Sequence, residues 1–168
     1  LGDADQISSA IMKNSFSLSY KPYIWGGHET RIKTKVSFSY YAESKNKAYQ
    51  VYSLNFSQHL GNYEWVKLSY SYLPQYYLRD YRDRDVLIVN ASPNSILSNC
   101  FFSQGSSTIS YSRPFFLNRT WLEGKMNYKS QYYNPAFTEF DLDIIGFGLK
   151  LNTQYLKHYS FSLSGIKT

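Results

Sequence analysis

Residues 66–85, VKLSYSYLPQYYLRDYRDRD, begin as an alternation of apolar and polar residues, thicken into tyrosine and end in arginine and aspartate. Successive side chains of an extended chain point to opposite sides, so Val66, Leu68, Tyr70 and Tyr72 share one face while Lys67, Ser69 and Ser71 share the other. The stretch is a strand. Whether its apolar face meets a protein core or lipid depends on the rest of the chain.

The same two-faced design returns along the sequence. Phe16, Leu18, Tyr20 and Ile24 oppose Ser15, Ser17, Ser19 and Lys21, and Ile32, Val36, Phe38 and Tyr40 oppose Arg31, Lys33, Lys35, Ser37 and Ser39. Leu122, Met126, Tyr128 and Tyr132 oppose Glu123, Lys125, Asn127, Lys129 and Gln131, and Tyr159, Phe161 and Leu163 oppose Ser160, Ser162 and Ser164. Eight strands are expected, at 14–25, 31–43, 48–59, 64–79, 100–116, 121–133, 140–152 and 156–166. Two of them change parity midway. The apolar set moves from Tyr49 and Val51 to Tyr52, Leu54 and Phe56, and from Phe140, Leu142 and Ile144 to Ile145, Phe147, Leu149 and Leu151, so each is expected to carry a bulge. Residues 1–13 form a separate N-terminal segment with room for a short helical turn capped by Asp3 or Asp5, and 14–168 form one β domain.

Composition bears on the solvent question. Of 168 residues, 19% are aromatic and 18 are tyrosine, far from an ordinary globular mix and close to what a water–lipid boundary favours. No apolar run is long enough for a transmembrane helix, so only strands could span a bilayer. Tyrosines sit at strand ends with aliphatic residues between, the polar face is mostly serine, and the strands exceed the globular mode of about six residues. Lipid outside and water inside is the expectation.

These residues resemble bacterial outer-membrane β-barrel proteins as a class. The resemblance covers 14–166 and lies in tyrosine-girdled, two-residue-period strands joined by polar turns such as GGHET, ESKNK and LNRT. It implies an antiparallel transmembrane β-barrel that acts as a pore or structural wall. No enzymatic activity and no cofactor are expected, and the basic residues and rings fall on opposite strand faces, which argues against a nucleic-acid groove. Such barrels usually finish on an aromatic residue and keep long loops outside. This chain ends SFSLSGIKT and has its longest connection at 80–99, so the expectation is an excerpt of a larger barrel. Serine fills an eight-stranded interior poorly, which points the same way. The competing expectation is a soluble secreted β-sandwich for adhesion or carbohydrate binding.

The candidate site residues follow from the faces. Phe38, Leu68, Tyr70 and Phe161 are expected to face lipid. Lys33, Lys35, Lys67, Lys125, Lys129 and Lys150 are expected to line the lumen, answered there by Glu123, Asp141 and Asp143. With a net charge of +6, such a lumen favours small anionic solutes. The cluster Arg79, Asp80, Arg82, Asp83, Arg84 and Asp85 is either a contact for a divalent cation or lipopolysaccharide phosphate, or a self-neutralising loop base. His28, His59 and His158 share no metal-ligand spacing, Cys100 has no partner cysteine and is expected to be a small wall residue, and no nucleophile–base set stands out among the many serines.

Overall fold

A computed structural model describes residues 10–42, 45–82, 97–115, 120–153 and 160–167. The chain is all-β. Its strands are β1 (Ile11–Tyr20), β2 (Tyr23–Trp25), β3 (His28–Tyr41), β4 (Tyr49–Gly61), β5 (Glu64–Arg82), β6 (Leu97–Pro114), β7 (Thr120–Tyr133), β8 (Leu142–Thr153) and β9 (Ser160–Lys167). Eight of them form one antiparallel meander in the order β1-β3-β4-β5-β6-β7-β8-β9, and the short β2 pairs with β3. Every long strand expected from the alternation is present. The first begins at Ile11 rather than 14 and yields to β2 after Pro22.

Local chemistry explains the connections. The two-residue turn from β2 to β3 is Gly26–Gly27, both at positive φ (58° and 73°), which the hairpin turn matching strand twist requires. Between β4 and β5 the turn is Asn62–Tyr63, and Tyr63 holds a φ of 62°, the left-handed region. That costs about 1–2 kcal/mol for a residue with a Cβ. The ring stacks on Trp121 at 4.9 Å, a contact of about 0.5–1.5 kcal/mol. Tyr63→Gly therefore trades one term for the other, whereas Tyr63→Ala keeps the strain and loses the stack. The alanine variant should be less stable than the glycine variant by about 1 kcal/mol in denaturant titration.

The register corrects both expected bulges. β4 pairs with β3 without interruption from Gln58 opposite Thr30 to Tyr49 opposite Ser39, and β8 pairs with β7 without interruption from Leu142 to Thr153. The parity changes mark a change in what each face carries, not an extra residue. Bulges occur instead at the β4–β5 turn and within β5, between Leu73 and Tyr76 and between Tyr77 and Arg79. Pro74 lies in the first of these, where a residue without an N–H is tolerated.

Cross-strand partners share a face, so the register assembles rows. One row runs Tyr20, Ile32, Phe56, Leu68, Ile109, Met126, Phe147. The row beside it, on the other face, runs Ser19, Lys33, Asn55, Ser69, Thr108, Asn127, Gly146. The apolar face is uncovered: Phe16 is 70% exposed, Ile109 52% and Phe147 56%. On the polar face Ser110 and Ser112 are buried. Among the described residues only Cys100 and Phe137 are buried hydrophobics, so there is no conventional core.

The expected closed barrel is met only in part. Among the described residues β1 and β9 do not pair and form the two edges of an open sheet.

Candidate functional site

The polar face is the candidate site. Its middle is a floor of small hydroxyl and amide side chains with lysines standing among them. Lys67 and Lys125 flank Ser110 in one row, Lys33 stands beside Asn55 in the next, and Lys35 and Lys129 bracket Ser53, Ser71 and Ser106 in the third. Lys150 pairs in register with Glu123. Thr108 donates a hydrogen bond to Asn127 Oδ1 at 3.0 Å, which holds the floor together across two strands. A recess of about 300 Å³ opens among Asn55, Ser57, Lys67, Ser110, Glu123 and Lys125. All six expected lysines lie on this face.

The acidic partners are fewer than expected. Glu123 is there, but Asp141 sits just before β8, where its carboxylate accepts the Tyr133 backbone N–H at 2.7 Å. Asp143 lies on the opposite, apolar face, because β8 has no bulge and Asp143 pairs with Ser130. There it accepts hydrogen bonds from the Tyr128 hydroxyl at 2.8 Å and the Tyr132 hydroxyl at 3.1 Å. It does not answer the lysines. The described ion pair is Arg31 with Glu29, at 2.7 Å and largely exposed. Among strand residues whose side chains are described, the polar face thus carries Lys13, Arg31, Lys33, Lys35, Lys67, Lys125, Lys129 and Lys150 against Glu29 and Glu123.

Aromatic residues frame this floor at both ends, which the alternation alone did not reveal. Where β4 and β5 turn, Tyr63 stacks on Trp121, Trp65 packs edge-on to Trp121 at 6.4 Å, and the Lys67 ammonium lies 4.7 Å from the centre of the Trp65 ring. At the other end Tyr49, Tyr76, Phe102, Tyr133 and Phe140 form a chain of rings with centroids 5.2–5.8 Å apart. Doubled aromatics were the available signal. In Tyr76-Tyr77, Phe101-Phe102 and Tyr132-Tyr133, alternation sends one ring to each face at the same height. The break at Tyr49 and Val51 falls on the same polar face, where Tyr49 joins this belt.

Of the expected lipid-facing residues, Phe38, Leu68 and Tyr70 lie on the exposed apolar face. The side chain of Phe161 lies outside the described residues. So do the side chains of Arg79, Asp80 and Arg82 and the whole of Asp83, Arg84 and Asp85, as well as His158. Cys100 is buried in β6. His59 packs near Trp65 at 6.4 Å, and among the described residues no three His, Cys, Asp or Glu side chains converge on a metal site. No described helix is long and apolar enough to cross a membrane.

No known protein family, curated protein or solved structure matches the chain.

Proposed function

We propose that the chain is the wall of a hydrated β-barrel pore of a bacterial outer membrane, with the leucine and tyrosine face in lipid and the serine and lysine face in the lumen. One observation carries this reading: a continuous sheet presents its large apolar side chains uncovered while Ser39, Ser110 and Ser112 on its other face are buried. That is the arrangement of a sheet curled around its polar side in an apolar solvent. Dimensions agree. The 13 residues of β4 extend about 43 Å at about 3.3 Å per residue, which at a 45° tilt is about the 30 Å of a hydrocarbon core. A soluble β-sandwich instead needs a second sheet over the apolar face, and among the described residues none covers it.

Small hydrated anions are the favoured solutes, because the described side chains of the lumen face include eight cations against two carboxylates and low-dielectric walls focus that imbalance. Membrane lipid is the partner of the outer face, and lipopolysaccharide is its outer-leaflet component. Detergent dependence tests the reading. The purified chain should be monodisperse in detergent micelles and aggregate when detergent is removed, whereas a monodisperse, folded chain in plain buffer would overturn it.

A further inference from the structure

The polar face changes character along its length. The row that holds Ser106 and Lys129 already includes Ile144, and the next holds Val51, Leu73 and Leu142 among Gln104 and Gln131. The one after that is aromatic, with Tyr49, Tyr76, Phe102 and Tyr133. Phe140 extends this ring row from the turn between β7 and β8.

Small hydrated ions need no such belt. Charge and hydroxyls suffice to conduct them, whereas apolar rings held against water are unfavourable. Packing on one another at 5.2–5.8 Å offsets part of that cost, yet Phe140 stays 50% exposed and Leu142 38%. Rings at such tilts offer faces and edges to a further ring.

The charges beside the belt are unequal. Lys129 and Tyr133 lie four residues apart on the same face of β7, about 13 Å at about 3.3 Å per residue. The lysine side chain and a carboxylate carried on a single ring together span that separation. Asp141 sits next to the ring row, where its carboxylate accepts the Tyr133 backbone N–H at 2.7 Å, while Asp143 is turned to the other face and Glu123 lies farther along β7 from the belt. An anion here is therefore drawn away from Asp141 and toward Lys129. Its apolar part is left against Phe102, Tyr133 and Phe140.

We infer that the ring belt and Lys129 form one solute site whose preferred occupant is an aromatic carboxylate. This rests on the pore reading above and narrows its solutes from small anions in general. An inorganic anion uses only the lysine, and a neutral aromatic molecule uses only the rings. An aromatic carboxylate uses both.

Equilibrium dialysis of the chain in detergent micelles, blanked against empty micelles, tests the site with three labelled probes. These are benzoate, acetate, which lacks the ring, and benzyl alcohol, which lacks the charge. Benzoate should be held about tenfold more tightly than either of the others. Phe102→Ala and Lys129→Gln should each weaken benzoate binding by about tenfold, while Phe102→Tyr and Lys129→Arg should retain it. Acetate held as tightly as benzoate would reduce the site to its charge, and benzyl alcohol held as tightly would reduce it to its rings. Either result overturns the inference, as does benzoate retention no greater than that of empty micelles. The comparison of probes needs no variant, so it stands even where a variant fails to fold. A sample that stays folded and monodisperse without detergent overturns the pore reading, whereas the order of the three probes bears on this site alone.

Discussion

Leu68→Arg should destabilise the inserted sheet by about 2 to 4 kcal/mol, while Ser69→Arg, one residue away, should change stability little. The two positions are adjacent in β5 and lie level with the middle of β4 and β7, so they share depth and differ only in face. Leu68 is 40% exposed among Ile32, Phe56 and Ile109, and under the proposed membrane reading an arginine there must desolvate its guanidinium or pull the bilayer toward it. Ser69 stands between Asn55 and Thr108, where water solvates the added charge. Unfolding by denaturant from lipid vesicles measures both. Equal penalties would mean the two faces see the same solvent.

The second large effect concerns selectivity. Reversal potentials across a planar bilayer under a salt gradient should report an anion preference. The triple replacement of Lys33, Lys35 and Lys67 by glutamate should abolish it, because it leaves five cations against five carboxylates among the strand residues of that face whose side chains are described. The difference should shrink as salt rises from about 0.1 M to 1 M, where the screening length falls from about 10 Å to 3 Å. Cation preference in the unmutated protein would mean that the lysines are neutralised or lie outside the conduction path. The position of Asp143 strengthens the expectation. A carboxylate counted among the lysines from sequence is held on the other face by Tyr128 and Tyr132, and so offsets none of them.

Asp143 also marks where the sequence stops being legible. Period-two alternation identifies strands because each side chain's face follows from its parity, and the long strands, their antiparallel order and the sides taken by the six lysines are readable that way. Parity is only relative, however. At Tyr49, Val51, Leu142 and Ile144 the apolar residues change sides without an extra residue, because the polar face acquires its own aromatic belt near the strand ends. A bulge and a two-sided belt give the same string of letters. Pairing across strands separates them, since an uninterrupted register leaves no room for a bulge. The first of the two bulges in β5 is signalled by Pro74 within a run of tyrosines, a backbone feature that an apolar pattern does not register. The polar-face clustering of Tyr63, Trp65 and Trp121 joins residues far apart in the chain, so no local window contains it.

The most direct test of the account asks which solvent each face meets. Nitroxide labels at Phe38 and Leu68, and at their neighbours Ser37 and Ser69, can be read in lipid vesicles by power saturation against oxygen and against a water-soluble relaxant. The account predicts oxygen accessibility at Phe38 and Leu68 and relaxant accessibility at Ser37 and Ser69. The reverse pattern, or relaxant reaching all four equally, would contradict it.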